Sequence, residues 1–91
     1  MEYLDVRIAP KFREEFKKLI DRQDGPAVVI DLTTVQFIDS AGYGALIALL
    51  KYCKEKNREL FLYNLSPFAE DAFKMLNLDK LFNLTLKLPP K

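Results

Sequence analysis

The stretch that decides the fold runs from Val28 to Gly44 and reads VVIDLTTVQFIDSAGYG. It opens with a β-branched apolar run that predicts a buried strand, and a stretch with helical periodicity follows its last glycine. Ser40 therefore stands at a strand-to-helix junction, among the free backbone N–H groups and the positive dipole end of a helix. Such a junction suits an N-cap, and it equally suits a side chain that will carry a phosphate.

Strands and helices alternate along the rest of the chain, and Pro10 and Pro67 suit first helical turns. The expected strands are residues 3–8, 27–33, 60–64 and 84–88. The first two expected helices are residues 10–22 and 41–56. A third helix is expected to begin at Pro67 with Ser66 as its cap, and a helical turn is expected at 78–82. This β-α-β-α-β-α-β order predicts an α/β fold with a largely parallel or mixed four-stranded sheet. Alternation within the strands makes one sheet face apolar and the other half polar, which predicts helices packed mainly on one face.

Length and charge restrict the class of protein. Ninety-one residues predict a single domain over residues 1–91. Lys and Arg are spread along the chain and the net charge is +1, so there is no electrostatic reason to expect binding to nucleic acid or anionic lipid. No apolar run approaches the roughly 20 residues needed to span a bilayer, and the N-terminus lacks a signal core. We therefore expect a cytoplasmic protein without membrane insertion.

Residue types on which many enzymes rely are missing. The sequence contains no histidine, which removes Ser-His-Asp catalysis and the usual zinc sites. It also lacks a Gly-rich phosphate loop ending in Gly-Lys-Ser/Thr. Cys53 is the single cysteine, so no internal disulfide can form, and we expect this residue in the core. A small enzyme would have no base or nucleophile pair beyond Asp39 with Ser40, so we expect a non-enzymatic protein with no metal or cofactor of its own.

At the junction the chain resembles the STAS domain, the fold of bacterial anti-sigma factor antagonists. The matching pieces, in chain order, are VIDLT at 29–33, FIDSAGYGAL at 37–46, ELFLYN at 59–64 with the Ser-Pro pair at 66–67, and LNLDKLF at 76–82. The similarity covers roughly residues 3–88. The chain departs from the family at its N-terminus, where Tyr3-Leu4-Asp5 stands for a longer strand or hairpin, so the N-terminal strand region is shortened.

The resemblance implies a phosphorylatable switch. In anti-sigma factor antagonists, the serine of this motif is phosphorylated by an ATP-dependent serine kinase that is also the anti-sigma factor, and a phosphatase restores the hydroxyl. By this resemblance Ser40 is the phosphate acceptor and Asp39 is the acid before it. The chain would be a regulatory protein that binds its kinase when unphosphorylated. The surface that we expect to bind this partner consists of Asp39, Ser40, Ala41, Gly42, Tyr43, Gly44, Ile47 and Lys51.

Each of these residues also has a structural interpretation, and the sequence leaves both open. Ser40 would be an N-cap that accepts from the N–H groups near Gly42 or Tyr43. Asp39 either orients the hydroxyl or contacts the kinase, or else it simply complements the helix dipole. Gly42 and Gly44 serve either the close approach of a partner or the close packing of helix on strand.

The ends and the open face of the sheet carry two further expectations. Asp31 and Thr33 support the site near Ser40 if they lie at the carboxyl end of the central strand, where α/β folds bind ligands. Asp31 otherwise belongs to the half-open sheet face. Phe61 and Tyr63 project to that second face, where another copy of the chain would cover them in a homodimer.

One alternative function remains within the same family. Related domains are scaffold subunits of transport or stress-signalling complexes, and in those systems the serine need not be phosphorylated. Asp39-Ser40 favours the phosphorylated switch over the scaffold.

Overall fold

Short strands and longer helices alternate along residues 3–85, which are the residues that the computed structural model describes. The strands are β1 (Tyr3–Leu4), β2 (Ala27–Asp31), β3 (Phe37–Ile38), β4 (Glu59–Tyr63) and β5 (Asn83–Thr85). The helices are α1 (Ala9–Arg22), α2 (Ser40–Glu55) and α3 (Pro67–Met75), and a 3-10 turn covers Leu78–Lys80. The predicted α/β order is therefore confirmed.

The strands form two small parallel sheets. In the larger sheet the order is β2-β4-β5, with Val28 opposite Leu60 and Leu62 opposite Leu84. In the smaller sheet Leu4 of β1 lies opposite Ile38 of β3. The parallel arrangement agrees with the prediction, but the expected four-stranded sheet is wrong, because the described strands divide between two sheets. Strand β3 lies in residues that the prediction left between the second strand and the second helix. The predicted last strand begins in β5, and its residues 86–88 lie outside the described residues.

The first strand is much shorter than residues 3–8. The chain turns directly after Leu4, because the main-chain oxygen of Asp5 accepts hydrogen bonds from the backbone N–H groups of Ile8 and Ala9, at 3.0 and 2.8 Å. These bonds begin the approach to α1 and leave no extended backbone for a longer strand. The alternation seen in the sequence at 3–8 therefore ends in a turn.

The hydrophobic core lies between the helices and one face of the larger sheet. Val28 and Ile30 of β2 are buried, as are Leu60 and Leu62 of β4. The intervening side chains are half-buried or exposed, which agrees with helices packed mainly on one face. The largest fully buried side chains elsewhere include Leu4, Ile20, Leu32, Leu46, Leu49, Phe73 and, as predicted, Cys53. Burial raises the pKa of the Cys53 thiol.

Arg58 holds the connection between α1 and β2. Its Nη1 donates to the main-chain oxygen of Ile20 at 2.6 Å, and its Nε donates to that of Gly25 at 2.9 Å. The Ile20 oxygen also accepts from the backbone N–H of Gln23 at 3.2 Å, so the guanidinium adds a second donor to this carbonyl at the end of α1. In the part of the chain that the structure describes, no helix is long and apolar enough to cross a bilayer.

Candidate functional site

Asp39 caps the second helix. It has extended backbone angles, φ −95° and ψ −176°, and its Oδ1 accepts from the backbone N–H of Gly42 at 2.9 Å. This is the bond from the N-cap side chain to the third helical residue that satisfies a free N–H group of the first turn. The prediction that Ser40 is the cap was therefore wrong. Ser40 is already the first helical residue, and the cap lies one residue earlier.

The same carboxylate joins the helix to the beginning of the chain. Asp39 Oδ2 accepts from the backbone N–H of Val6 at 3.1 Å, and the Asp39 N–H donates to the main-chain oxygen of Leu4 at 3.2 Å. Both carboxylate oxygens are therefore engaged within the protein. The side chain of Asp39 thus has a structural role beyond the dipole interaction expected from the sequence, because it caps α2 and holds it against the turn after β1. A contact of Asp39 with a kinase stays a prediction.

Ser40 is exposed at the start of α2. Within residues 3–85, its hydroxyl has no hydrogen-bond partner. Relieved of the capping role by Asp39, the hydroxyl can gain or lose a substituent without breaking a bond that the fold uses.

Four residues of the expected partner surface form one strip along α2. Ser40, Gly44, Ile47 and Lys51 are spaced by four, three and four residues, which places them on one side of an α-helix. Three of them are exposed and Ile47 is half-buried. We call this strip the α2 outer face. The structure therefore brings these four predicted residues together on one accessible surface.

The other members of the expected surface turn towards neighbouring elements. Tyr43 is half-buried, and its ring meets Phe73 of α3 edge-on at a centroid distance of 5.3 Å. Burial raises the pKa of the Tyr43 phenol. Ala41 is also half-buried, on the side of α2 that faces α1. Both residues flank the α2 outer face without lying on it.

Gly42 faces the interior. A Cβ placed on it would lie 2.3 Å from the main-chain oxygen of Leu4 and 2.7 Å from Cγ2 of Ile38. Neither distance can be tolerated, so this position requires glycine for the packing of α2 on β1 and β3. The expectation that Gly42 contacts a partner is therefore wrong, because Leu4, a buried residue of β1, already occupies the space that a partner would need.

Gly44 has the opposite surroundings. It is exposed, and a Cβ placed on it would meet nothing within 4 Å. Close packing on a strand therefore does not explain this glycine. In a helix interior glycine costs up to about 1 kcal/mol relative to alanine, and no packing contact among the described residues requires that cost at Gly44.

Asp31 and Thr33 form a compact turn at the end of β2. The Asp31 Oδ1 accepts from the Thr33 backbone N–H at 2.9 Å and from its hydroxyl at 2.5 Å. These bonds, chiefly the one from the hydroxyl, hold the pKa of the Asp31 carboxyl below its usual value. Asn64 Nδ2 in turn donates to Thr33 Oγ1 at 3.2 Å. Within residues 3–85 no hydrogen bond connects this turn to Asp39 or Ser40, so Asp31 and Thr33 do not support that site directly.

A shallow cavity opens beside that turn. Exposed aromatic rings line it, with Tyr3 and Phe37 at a centroid distance of 6.2 Å and Phe37 and Phe68 at 6.1 Å. No local sequence pattern marks these rings as a cluster, because Tyr3, Phe37 and Phe68 are far apart along the chain. Among the described residues no group of three or more His, Cys, Asp or Glu side chains could hold a metal ion.

A second feature missed in the sequence is a groove between α1 and α2. Arg13, Val6 and Pro10 line it on one side, and Ala41 and Gly44 line it on the other. Only the packing of one helix on the other creates this groove, so no local sequence signal marks it.

Comparison with known proteins supplies independent information. The sequence pattern of the STAS domain matches residues 2–89. An anti-sigma-B factor antagonist of Listeria monocytogenes is 28% identical over 81 residues, which are 89% of this chain and 70% of that protein. An anti-sigma-B factor antagonist of Staphylococcus aureus is 28% identical over 82 residues, covering 89% of this chain and 74% of that protein.

Solved structures give the same result for the fold. An anti-sigma factor antagonist from Mycobacterium paratuberculosis superposes with a TM-score of 0.78 and 26% identity, covering 94% of this chain and 72% of that one. A structure assigned as an anti-sigma factor antagonist from Thermotoga maritima superposes with a TM-score of 0.81 over 93% of this chain and 74% of that one. At 20% identity, the similarity to the Thermotoga structure supports the fold alone.

Proposed function

The chain belongs to the STAS domain family, and we propose that it is an anti-sigma factor antagonist that is switched by phosphorylation of Ser40. Its relatives in Listeria and Staphylococcus carry the antagonist name. The partner would be an anti-sigma factor that is also an ATP-dependent serine kinase. A phosphatase would return phospho-Ser40 to serine.

The observation that carries this proposal is the contrast between the two serines of the chain. Ser40 and Ser66 are its only serine residues. Ser66 caps α3, with its Oγ accepting from the Ala69 N–H at 3.1 Å and donating to the main-chain oxygen of Gln36 at 3.3 Å. Ser40 is exposed and leaves the capping of its helix to Asp39. A kinase would therefore find a free hydroxyl at position 40 and an engaged one at position 66.

The chemistry requires one group transfer. The Ser40 Oγ attacks the γ-phosphorus of an ATP molecule held by the kinase, the bond from that phosphorus to the ADP oxygen breaks, and the serine proton leaves to a base of the kinase. Water reverses the modification in the phosphatase, with release of inorganic phosphate. The chain itself supplies the acceptor hydroxyl and needs no cofactor for either step.

The charge change would act on binding more than on folding. Phosphoserine carries about −1.5 to −2 charges at neutral pH, and the first turn of a helix favours negative charge. The Asp39 carboxylate lies one residue away and opposes the phosphate by like-charge repulsion, which is partly screened at the surface. A partner surface shaped for a neutral hydroxyl would lose its contact once the dianion is present.

The partner surface follows the exposed side chains of α2. The α2 outer face provides Ser40, Gly44, Ile47 and Lys51, and Tyr43 and Ala41 border it. Asp39 would contribute by fixing the direction of the helix start, since its carboxylate is already engaged. Gly42 is outside this surface because it packs against Leu4.

The first experiment tests the acceptor. Each purified serine kinase of the anti-sigma type from the source cell is incubated with ATP and the chain, and the phosphorylated residue is located by mass spectrometry. We expect phosphate on Ser40 in the wild type and none in Ser40→Ala, while Ser66→Ala is modified like the wild type. Phosphate on another residue would contradict the proposal.

The second experiment tests the switch. Binding of the same kinase is measured by calorimetry for the wild type, Ser40→Asp and Ser40→Asn. Asparagine has nearly the shape of aspartate but carries no charge. We expect the negative charge at position 40 to weaken binding at least tenfold more than the neutral replacement. Equal binding by both variants would favour the alternative, a STAS scaffold in a transport or stress-signalling complex.

A further inference from the structure

The α1–α2 groove, defined above by Arg13, Val6, Pro10, Ala41 and Gly44, has a volume of about 310 Å³ and is open to solvent. Its floor is shallow at Gly44, where a Cβ would meet nothing within 4 Å. The groove begins where the α2 outer face ends, because Gly44 belongs to both.

Ser40 is a helical neighbour of two residues that line this groove, Ala41 and Gly44. Residues four apart on a helix are neighbours, with about 5–6 Å between their Cβ positions, so Ser40 lies one turn before Gly44 on the same side of α2. The next residue, Ala41, lines the groove itself. A phosphate on Ser40 would lie one helical turn from a surface that no side chain at position 44 blocks.

Arg13 lines the groove from α1, whereas Ala41 and Gly44 line it from α2. Its side chain is exposed, and within residues 3–85 it has no ion-pair or hydrogen-bond partner. Arg7 lies nearer in sequence to the Val6–Asp39 contact, but Asp5 holds its guanidinium at 2.7 Å. Lys11 of the same helix is directed to Glu15 at 3.9 Å. Of these three cations, Arg13 is therefore the one that lines the groove together with Ala41 and Gly44 and has no side-chain partner among the described residues.

We propose that Arg13 receives the phosphate of phospho-Ser40 across Gly44, so that an intramolecular ion pair closes the α1–α2 groove in the modified state. The inference rests on the proposed function, because it concerns the phosphorylated form of Ser40. Arginine suits this role, since its planar guanidinium can donate two parallel hydrogen bonds to phosphate oxygens. The neutral serine hydroxyl gives Arg13 no comparable partner.

This pair would add a second component to the switch. Phosphorylation would change the charge at the helix start, and it would also cover Gly44 and Ala41 with the Arg13 side chain. The low surface between the two helices would then be unavailable to a partner that occupies it in the unmodified state. Gly44 is explained by the same inference, because a side chain there would stand between the phosphate and the guanidinium.

The test does not need the kinase. Phosphoserine is incorporated at position 40 during translation, and the second ionisation of the phosphate is followed by phosphorus NMR as a function of pH. In the wild type the nearby Arg13 favours the dianion and lowers this pKa, while the Asp39 carboxylate raises it equally in every variant. The Arg7–Asp5 pair is a further charged group in the turn before α1, and it serves as the reference for the effect of Arg13.

We expect the phosphate pKa in Arg13→Gln to lie about 0.3 to 0.7 above that of the wild type, the size of an exposed ion pair. Arg7→Gln is the matched control and should leave the value near that of the wild type. Arg13→Lys should recover part of the difference, because it keeps the charge but loses the bidentate geometry. Amide NMR spectra of each variant verify the fold.

The inference is overturned if Arg13→Gln titrates like the wild type, or if Arg7→Gln is the variant that moves the phosphate pKa. The proposed function fails by a different result, namely the absence of phosphate on Ser40 after incubation with the kinases. Because phosphoserine is installed without a kinase, the two failures are told apart.

Discussion

The main-chain oxygen of Leu4 lies 2.3 Å from the point where a Cβ of Gly42 would stand. The same oxygen accepts the Asp39 N–H at 3.2 Å. The start of the second helix is thus pressed directly onto the first strand, and the position of Ser40 depends on that contact. The glycine two residues further along, Gly44, makes no such contact.

We expect Gly42→Ala to destabilise the protein. The new methyl group would collide with backbone, which cannot rotate away as a side chain can, and overpacking of this kind costs about 1 to 3 kcal/mol. The free energy of unfolding from urea titration followed by circular dichroism measures the effect. A variant as stable as the wild type would show that α2 can move off β1 at little cost.

Gly44→Ala is the matched substitution on the exposed side, and we expect it to stabilise the protein by about 0.4 to 1 kcal/mol. Alanine is the better helix former, it reduces the freedom of the unfolded chain, and its methyl group would enter open space. The same urea titration measures the change. A loss of stability would mean that the space above Gly44 is not open in solution.

The location of the helix cap predicts opposite behaviour for two adjacent residues. Asp39→Ala removes the bonds to the N–H groups of Gly42 and Val6, and loss of a cap costs about 0.5 to 2 kcal/mol. Ser40→Ala should change the free energy of unfolding by less than about 0.5 kcal/mol, as expected of an exposed residue without partners. Asp39→Asn, which keeps an acceptor oxygen for Gly42, should lie between them. Thermal and urea unfolding of the three variants decide whether the cap is Asp39, and a larger loss in Ser40→Ala would contradict the assignment.

Thr33→Val should raise the pKa of Asp31 towards the ordinary value of 3.8, because the hydroxyl is the main cause of its lowering. A carboxyl whose pKa is lower in the folded protein stabilises the fold above its unfolded pKa, and that stability is lost as the pH falls through the folded value. The variant should therefore lose less stability between about pH 4 and the folded pKa. Carbon NMR titration of the Asp31 carboxyl measures the shift directly.

Thr34→Val is the control for that titration, since Thr34 is the exposed neighbour of Thr33. It should leave the Asp31 pKa unchanged. If both valine variants shift the pKa equally, the cause is the surrounding backbone rather than the Thr33 hydroxyl.

Local sequence patterns were sufficient for most of the fold. The apolar alternation at Val28 and Ile30 identified the central strand, and the Ser66-Pro67 pair identified the start of α3, where the Ser66 cap is confirmed. Such signals are readable because the residues that form them are neighbours along the chain. The strand β3 was missed because two residues become a strand only through pairing with β1, more than thirty residues earlier.

The position of the candidate site could be predicted from the sequence, but the role of each of its residues could not. Asp39 and Ser40 are both good caps, and a helix boundary read from sequence is uncertain by one or two residues. Gly42 and Gly44 are the same residue type with opposite surroundings, which only the packing against Leu4 distinguishes. Arg13 comes to line one groove with Ala41 and Gly44 through the contact of two helices, so its own sequence environment gives no indication of that position.

The division of tasks between Asp39 and Ser40 has a consequence for how such chains diverge. Since Asp39 caps the helix and the proposed phosphate acceptor is the next residue, Ser40, position 40 is free to vary without a structural penalty. A gene duplicate in which this serine is replaced by alanine should still yield a well-folded product, one that no kinase could inactivate. A duplicate altered at Asp39 should instead lose the stability that the cap contributes, so family members are expected to differ at position 40 more readily than at position 39.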